Sequence, residues 1–128
     1  MKRLLAYLLL VTALVVPATA ASGQVPANSL DSVSVDVASC DRLDGRIRSG
    51  YTLDGTEAWL RTDGAGINVG NVDGAGTHAR SMQYINDPPL APNTIRTVTV
   101  TLGTVADPDA YGSETISFNC TTGEVVPG

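Results

Sequence analysis

Basic residues other than arginine are nearly missing from this sequence: lysine occurs only at Lys2 and histidine only at His78. Beyond Arg3 the chain has six arginines and 13 acidic residues, so residues 21–128 carry a formal net charge of −7. An acidic chain without a basic stripe repels phosphate backbones, which argues against nucleic-acid binding. A single histidine and the lack of a Cys-x-x-Cys pair also argue against a zinc site.

Signatures of catalysis are missing as well. The sequence has no Gly-x-Ser-x-Gly motif, which would expose a nucleophilic serine. His78 lies at the start of a predicted strand, where a polar histidine is usually an ordinary surface residue. Asp107 and Asp109 are close enough in sequence to act as paired carboxylates, but a turn around Pro108 explains both. We therefore predict no enzyme and no cofactor.

The one long apolar run stands at the N-terminus. Met1–Arg3 is basic, residues 4–16 are almost entirely apolar, and Ala18-Thr19-Ala20 places small residues at the −3 and −1 positions of a cut before Ala21. This order is typical of a secretory signal peptide, and the apolar run is shorter than the roughly 20 residues that cross a bilayer. Residues 1–20 are therefore predicted to be a signal peptide, and the rest a secreted protein with no membrane insertion after cleavage.

Two cysteines, Cys40 and Cys120, remain after cleavage. In an oxidising compartment they predict one disulfide. A bridge that closes so long a loop stabilises the fold by about 4 kcal/mol in the chain-entropy model. The predicted organisation is a flexible leader at 21–31, one β-sandwich domain at 32–122, and a C-terminal tail at 123–128.

Helical periodicity is absent, and the rest of the pattern is that of an all-β domain. Short runs rich in Val, Ile, Thr and aromatic residues alternate with Asp-Gly and Asp-Pro turns, which favour tight connections between strands. The predicted strands are Ser32–Cys40, Arg46–Leu53, Glu57–Thr62, Gly66–Val72, Thr77–Ile85, Thr94–Thr104 and Glu114–Thr121.

Alternation of apolar and polar residues predicts which face of each strand is buried. One buried face per strand is typical of two antiparallel sheets packed together. Cys40 has the opposite parity to the valines of its strand, so either a β-bulge near Ala38-Ser39 turns it inward or the disulfide lies at the margin of the sandwich. The predicted inward residues are Val33, Val35, Val37, Ile47, Tyr51, Leu53, Val98, Val100, Leu102, Ile116, Phe118 and Cys120.

Cys40, Trp59 and Cys120 occur in an order that resembles the immunoglobulin-like sandwich superfamily, including bacterial fibronectin type III-like modules. The segment Glu57–Arg61 looks like the strand that carries the core tryptophan of that family. The resemblance covers Ser32–Thr121 and implies a two-sheet sandwich of about seven strands with Trp59 in its core. It implies no particular activity, since the superfamily hosts many functions.

Two kinds of ligand remain open. Asp107 and Asp109 share a loop whose oxygen atoms suit calcium, with Asp87 as the best further ligand; an acidic turn is the simpler interpretation, and we predict no metal site. A sugar platform needs exposed aromatic rings, for which Tyr84 and Tyr111 are the candidates.

The overall prediction is a secreted, non-catalytic immunoglobulin-like module with an extracellular interaction or cell-surface structural role. Its partner is an extracellular protein or cell-envelope component of unknown identity, and the alternative is a small carbohydrate- or calcium-binding module.

Overall fold

Two antiparallel sheets, of three and five strands, form the protein in a computed structural model that describes residues 27–127. The predicted all-β, two-sheet sandwich is confirmed. The predicted signal peptide, its cleavage site and leader residues 21–26 lie outside the described residues. The order of strands is β1-β2-β5 in one sheet and β4-β3-β6-β7-β8 in the other. The elements are β1 (Ser29–Val37), β2 (Arg46–Leu53), β3 (Trp59–Arg61), β4 (Gly66–Asn68), α1 (Val69–Asp73), β5 (Gly76–Gln83), β6 (Ile95–Gly103), β7 (Gly112–Asn119) and β8 (Val125–Val126).

The predicted strands fit the observed ones at their centres and differ at several ends. β2 has the predicted bounds, whereas β1 begins at Ser29, inside the predicted leader. β8 lies in the predicted tail, where no strand was expected. The segment after Asn68 was predicted to continue a strand but forms α1, because the Asn68 side chain accepts a hydrogen bond from the Asn71 N–H (3.2 Å) and so caps a helical turn. Gly74 ends the helix with a φ of 72°.

The core between the sheets contains most of the residues that alternation places there. Val35 and Ile116 are partly buried against it, while Leu60 rather than Trp59 occupies the inward position of β3. Trp59 is half-buried on the outer face, so its prediction as the core tryptophan is wrong. The fully or nearly fully buried apolar residues are Ile47, Tyr51, Leu53, Ala58, Leu60, Val69, Met82, Tyr84, Val98, Val100, Leu102, Phe118 and Cys120.

A β-bulge explains why the predicted inward position of Val37 is wrong. The pairing of β1 with β2 moves from Val35–Ile47 to Val37–Arg46, so Asp36 is an extra residue with no partner. One extra residue inverts the side-chain phase of a strand. Val37 therefore points outward and is 42% exposed. The expected alternative of a bulge near Ala38-Ser39 is not what the structure shows, since the two register shifts of β1 lie between Leu30 and Ser32 and between Val35 and Val37.

The predicted disulfide between Cys40 and Cys120 is confirmed, with a Cα–Cα distance of 4.9 Å. Cys40 lies in the β1–β2 loop and Cys120 directly follows β7, so the bridge joins the two sheets at one end of the sandwich. Asn86 fixes the same loop from inside, because its Nδ2 donates to the carbonyls of Ser39 (2.9 Å) and Asp41 (2.7 Å). The bridge thus lies at the margin of the sandwich, which was one of the two expected placements.

Candidate functional site

A groove of about 320 Å³ opens on the side of the sandwich where β4 and β5 are the edge strands. We call it the β4–β5 groove. It contains two arginines and no acidic residue, although the chain as a whole is acidic. The lining residues are Arg46, Ala65, Gly66, Ile67, Arg80, Ser81, Met82 and Gln83.

One wall of the groove is the free edge of β5, which pairs with β2 on its other side. The register between β2 and β5 runs without a bulge. In an antiparallel pair, opposed residues alternate between hydrogen-bonded and non-hydrogen-bonded pairs. Because the Tyr84 N–H donates to the Gly45 carbonyl (3.1 Å), the even-numbered residues of β5 bond to β2. The residues whose N–H and C=O groups point to the free edge are therefore Thr77, Ala79, Ser81 and Gln83.

Side chains already cover part of this edge. Arg46 donates from Nη2 to the Ser81 carbonyl (2.8 Å) and from Nε to the Ser81 hydroxyl (3.0 Å). The Thr62 hydroxyl donates to the Gln83 carbonyl (2.8 Å). Within residues 27–127, no such contact covers the backbone groups of Thr77 or Ala79. A short stretch of β5 therefore presents backbone donors and acceptors in strand geometry.

Arg80 enters the groove from the inner face of the sheet. Its Nη2 donates to Asp73 Oδ1 (2.9 Å), and the Tyr51 hydroxyl donates to the same carboxylate. Arg80 Nε is buried and has no hydrogen-bond partner among the described residues. Nη2 is thus committed to Asp73 and Nε is closed off from solvent, so Nη1 is the guanidinium nitrogen that can meet a second anion.

The ionisation of this cluster follows from its contacts. Burial, followed by the hydrogen bond to Asp73, raises the pKa of Tyr51 to about 12. Burial alone would raise the pKa of Asp73, but the hydrogen bonds from Tyr51 and Arg80 outweigh it and lower that pKa. The nearby Tyr51 oxygen, with support from Asp73, raises the pKa of Arg80. At neutral pH the carboxylate is therefore ionised, and Tyr51 and Arg80 keep their protons.

Arg46 differs from Arg80 in its charge environment. Within residues 27–127 the two direct salt bridges are Arg80–Asp73 and Arg96–Asp63. In that range, Arg46 is linked to a carboxylate only through the Ser81 hydroxyl, which donates to Asp36 Oδ2 (2.6 Å). It reaches over the outer face of the sheet, whereas Arg80 lies on the inner face. The two guanidinium groups therefore flank the β5 edge from opposite sides, and together they suit an anionic ligand.

The structure does not bring the three calcium candidates together. Asp107 and Asp109 lie in the turn after β6, where the Asp107 carbonyl accepts from the N–H groups of Thr104 (2.8 Å) and Ala110 (3.2 Å). Asp87 precedes β6, so the length of that strand, roughly 30 Å, separates it from Asp107. In the part of the chain that the structure describes, no three His, Cys, Asp or Glu side chains are grouped to hold a metal ion.

The tyrosines expected to serve as a sugar platform lie elsewhere. Tyr84 is fully buried, accepts from the Ser39 N–H (3.0 Å) and packs edge-on against Phe118 at 5.5 Å. It cannot present a ring to a ligand, so its candidacy is wrong. Tyr111 is half-buried against the core. The aromatic ring on an outer face is Trp59, with the Arg61 guanidinium 5.4 Å from its centroid.

Trp59 shares the outer face of the five-stranded sheet with a ladder of hydroxyl groups. Thr97 and Ser117 hydroxyls are 2.7 Å apart, and Thr99 and Thr115 hydroxyls are 3.0 Å apart. These pairs follow directly from the Thr-Val-Thr-Val-Thr alternation of β6, which puts each valine inside and each threonine outside. The ladder has no charged side chain, in contrast to the rest of the surface.

Sequence reasoning missed the β4–β5 groove. One signal for it was present: His78 and Arg80 alternate with Thr77 and Ala79 in phase with the buried Met82. Charged residues at inward positions are typical of an edge strand, where they limit unwanted pairing.

No protein-family model matches this chain, and we found no similar chain among the curated proteins or the solved structures.

None of the described helical residues forms a segment of the length and apolarity that a membrane span requires.

Proposed function

We propose that this chain is an exported, non-catalytic module with an immunoglobulin-like fold, which associates with an extracellular protein or cell-envelope component through the β4–β5 groove. The observation that carries the proposal is the free edge of β5 flanked by two arginines, in a protein with a net negative charge. Arg80 shares its charge with Asp73, whereas Arg46 has no direct salt bridge within residues 27–127, so an anionic group on a partner finds a local complement at Arg46, which orients the partner and raises its rate of association.

The order of strands supports the immunoglobulin-like part of the proposal. The sheet β1-β2-β5 corresponds to strands A, B and E of that superfamily, which share one sheet. The neighbouring strands β3, β6 and β7 correspond to C, F and G, which share the other sheet. β4 lies beside β3 as the extra strand of variable-type domains lies beside C. The disulfide differs, because it joins a loop to the end of β7 rather than strands B and F.

Retention at the cell surface tests this function. In cells that export the protein, Arg46→Gln combined with Arg80→Gln should release a several-fold larger share into the medium, because the partner loses both charged contacts. Arg48→Gln is the matched control, since Arg48 carries the same charge on the same strand but does not line the groove. Circular dichroism of the released variants checks their folding. Equal retention of all three proteins, or a wild-type protein found entirely in the medium, would contradict the proposal.

The hydroxyl ladder favours a second candidate, binding of a neutral polysaccharide to the outer face of the five-stranded sheet. Hydroxyl groups and an aromatic ring on one sheet face provide the mixed polar and apolar contacts that sugar rings use. This candidate predicts that native electrophoresis through a neutral polysaccharide retards the protein, and that Trp59→Ala removes the retardation. Ile95→Ala, on the same face at the other end of the ladder, is the control. Unchanged mobility of the wild type would exclude this candidate for the polymer tested.

A further inference from the structure

We infer that the β4–β5 groove takes an extended peptide with two adjacent acidic residues, which adds to β5 as a fourth strand of the three-stranded sheet. This inference rests on the proposed function and names the class of its partner. Addition of a peptide strand to an exposed sheet edge is a recurrent mode of recognition, in which backbone hydrogen bonds give affinity and side-chain contacts give specificity.

The backbone of β5 supplies the first part of the recognition. Thr77 and Ala79 each direct an N–H and a C=O to the free edge, and neither is covered by a side chain within residues 27–127. An antiparallel peptide can therefore form four backbone hydrogen bonds with these two residues. At the other end of the edge, Arg46 and Thr62 cover the carbonyls of Ser81 and Gln83. Backbone pairing is therefore confined to Thr77 and Ala79, which adjoin the lining of the groove, and the rest of the peptide crosses the groove through side-chain contacts.

The two arginines supply the second part. Arg46 is held at Ser81 on the outer face of the sheet, and Arg80 occupies the next position of β5 on the inner face. Successive side chains of a strand point to opposite faces. Two adjacent carboxylates on the added strand would therefore each meet one guanidinium. Asp73 engages Nη2 of Arg80 and Nε is buried, so the carboxylate of the peptide would bind through Nη1.

The groove also has an apolar part, formed by Ile67 of β4 and Met82 of β5. An inward-pointing side chain of the peptide that lies two residues from the acidic pair would contact these side chains, since alternate residues share a face. The peptide would thereby fill the space between the edges of the two sheets.

Other occupants fit the groove less well. A second copy that paired through β5 would bring its own arginines next to those of the first copy, and like charges on neighbouring strands repel. The chain's leader at residues 21–26 reads Ala-Ser-Gly-Gln-Val-Pro and has no acidic residue. The charge of the groove therefore favours an acidic peptide supplied by another molecule.

Peptide binding to the mature protein, residues 21–128, tests the inference. The probe is a fluorescent ten-residue peptide of Thr and Val with a central Asp-Glu pair, and its matched control carries Asn-Gln. Fluorescence anisotropy should show that the Asn-Gln peptide binds about tenfold more weakly or worse, because it loses two charge-assisted hydrogen bonds. Amide exchange at Thr77 and Ala79 should slow in the complex with the acidic peptide.

Variants of both molecules locate the contact. Arg46→Gln with Arg80→Gln should abolish the preference for the acidic peptide, and Arg48→Gln should leave it intact. Ala79→Pro should prevent binding and still fold, since proline is tolerated where the replaced N–H faces away from the sheet. N-methylation of the peptide amides that face β5 gives the same test without any change to the protein.

Several results would overturn the inference. The first is equal affinity for the Asp-Glu and Asn-Gln peptides, and the second is undiminished binding of the N-methylated peptide. The third is a concentration-dependent dimer of the mature protein without peptide, because a second copy would then occupy the groove. If no peptide binds at about 1 mM while surface retention still depends on Arg46 and Arg80, the inference is wrong and the proposed function stands. If retention is also independent of the two arginines, both are wrong.

Discussion

Loss of the Cys40–Cys120 bridge is expected to lower the free energy of unfolding by about 4 kcal/mol. The bridge closes a loop across a sequence separation of 80 residues, and the entropy that it removes from the unfolded chain grows with the logarithm of loop length. Small domains have a total stability of about 5–15 kcal/mol, so this loss leaves the fold marginal. Urea unfolding of a protein made of residues 21–128, with and without a reductant, measures the change.

The Cys40→Ala, Cys120→Ala double variant is the control for effects of the reductant itself. It should match the reduced wild type to within about 1 kcal/mol, because neither sulfur fills the centre of the core and alanine leaves only a small space at Cys120. A midpoint of urea unfolding that is unchanged by reduction would show that other contacts, including the hydrogen bonds of Asn86 to the same loop, fix this end of the sandwich on their own.

Val100→Asp is expected to abolish the cooperative fold. Val100 is fully buried at the middle of β6, between the two sheets. The substitution removes apolar contacts and places a charge without a partner in the apolar layer between the sheets. Together these two effects lower the free energy of unfolding by about 5 kcal/mol or more. Near-UV circular dichroism at 25 °C should lose its tertiary signal, and thermal unfolding should lose its sigmoidal transition.

Thr99→Asp is the matched control for that substitution. Thr99 is the neighbouring residue on the same strand, but it points outward and is exposed. The same charge should therefore change the stability by no more than about 1 kcal/mol. If both variants melted alike, the assignment of inner and outer faces to β6 would be wrong.

The parts of the fold that could be predicted from the sequence are the long strands with strict alternation. In β6, Val98, Val100 and Leu102 alternate with polar residues, and in β2 the inward series is Ile47, Ser49, Tyr51 and Leu53, with one polar member; the structure buries both sets. The buried face of β1 could not be identified in the same way, because the side chains after the bulge at Asp36 point to the opposite face of the sheet. Sequence alternation detects such a bulge only when a marker residue, here Cys40, lies beyond it.

Short elements give too few positions to fix a phase. β3 has three residues, two of them apolar, and either Trp59 or Leu60 could face the core. The family resemblance favoured the tryptophan, whereas packing selected the leucine. The helix α1 is similarly short, and it depends on one capping contact from Asn68 that strand propensity does not reveal.

The candidate site could not be predicted because it depends on the order of strands rather than on a motif. Arg46 and Arg80 are 34 positions apart in sequence, and they meet only because β2 and β5 are neighbours and β5 is an edge. Their relation to a free edge required the sheet topology.

The position of the disulfide also has a mechanical consequence for a module under tension. A force that pulls the two ends of the chain apart passes through the covalent bridge between Cys40 and Cys120 instead of through the residues between them. Among the strands of residues 27–127, only β1, before the bridge, and β8, after it, can be peeled from their sheets while the sulfurs remain joined. The remaining strands, including both walls of the β4–β5 groove, are thus shielded from load as long as the bridge is intact.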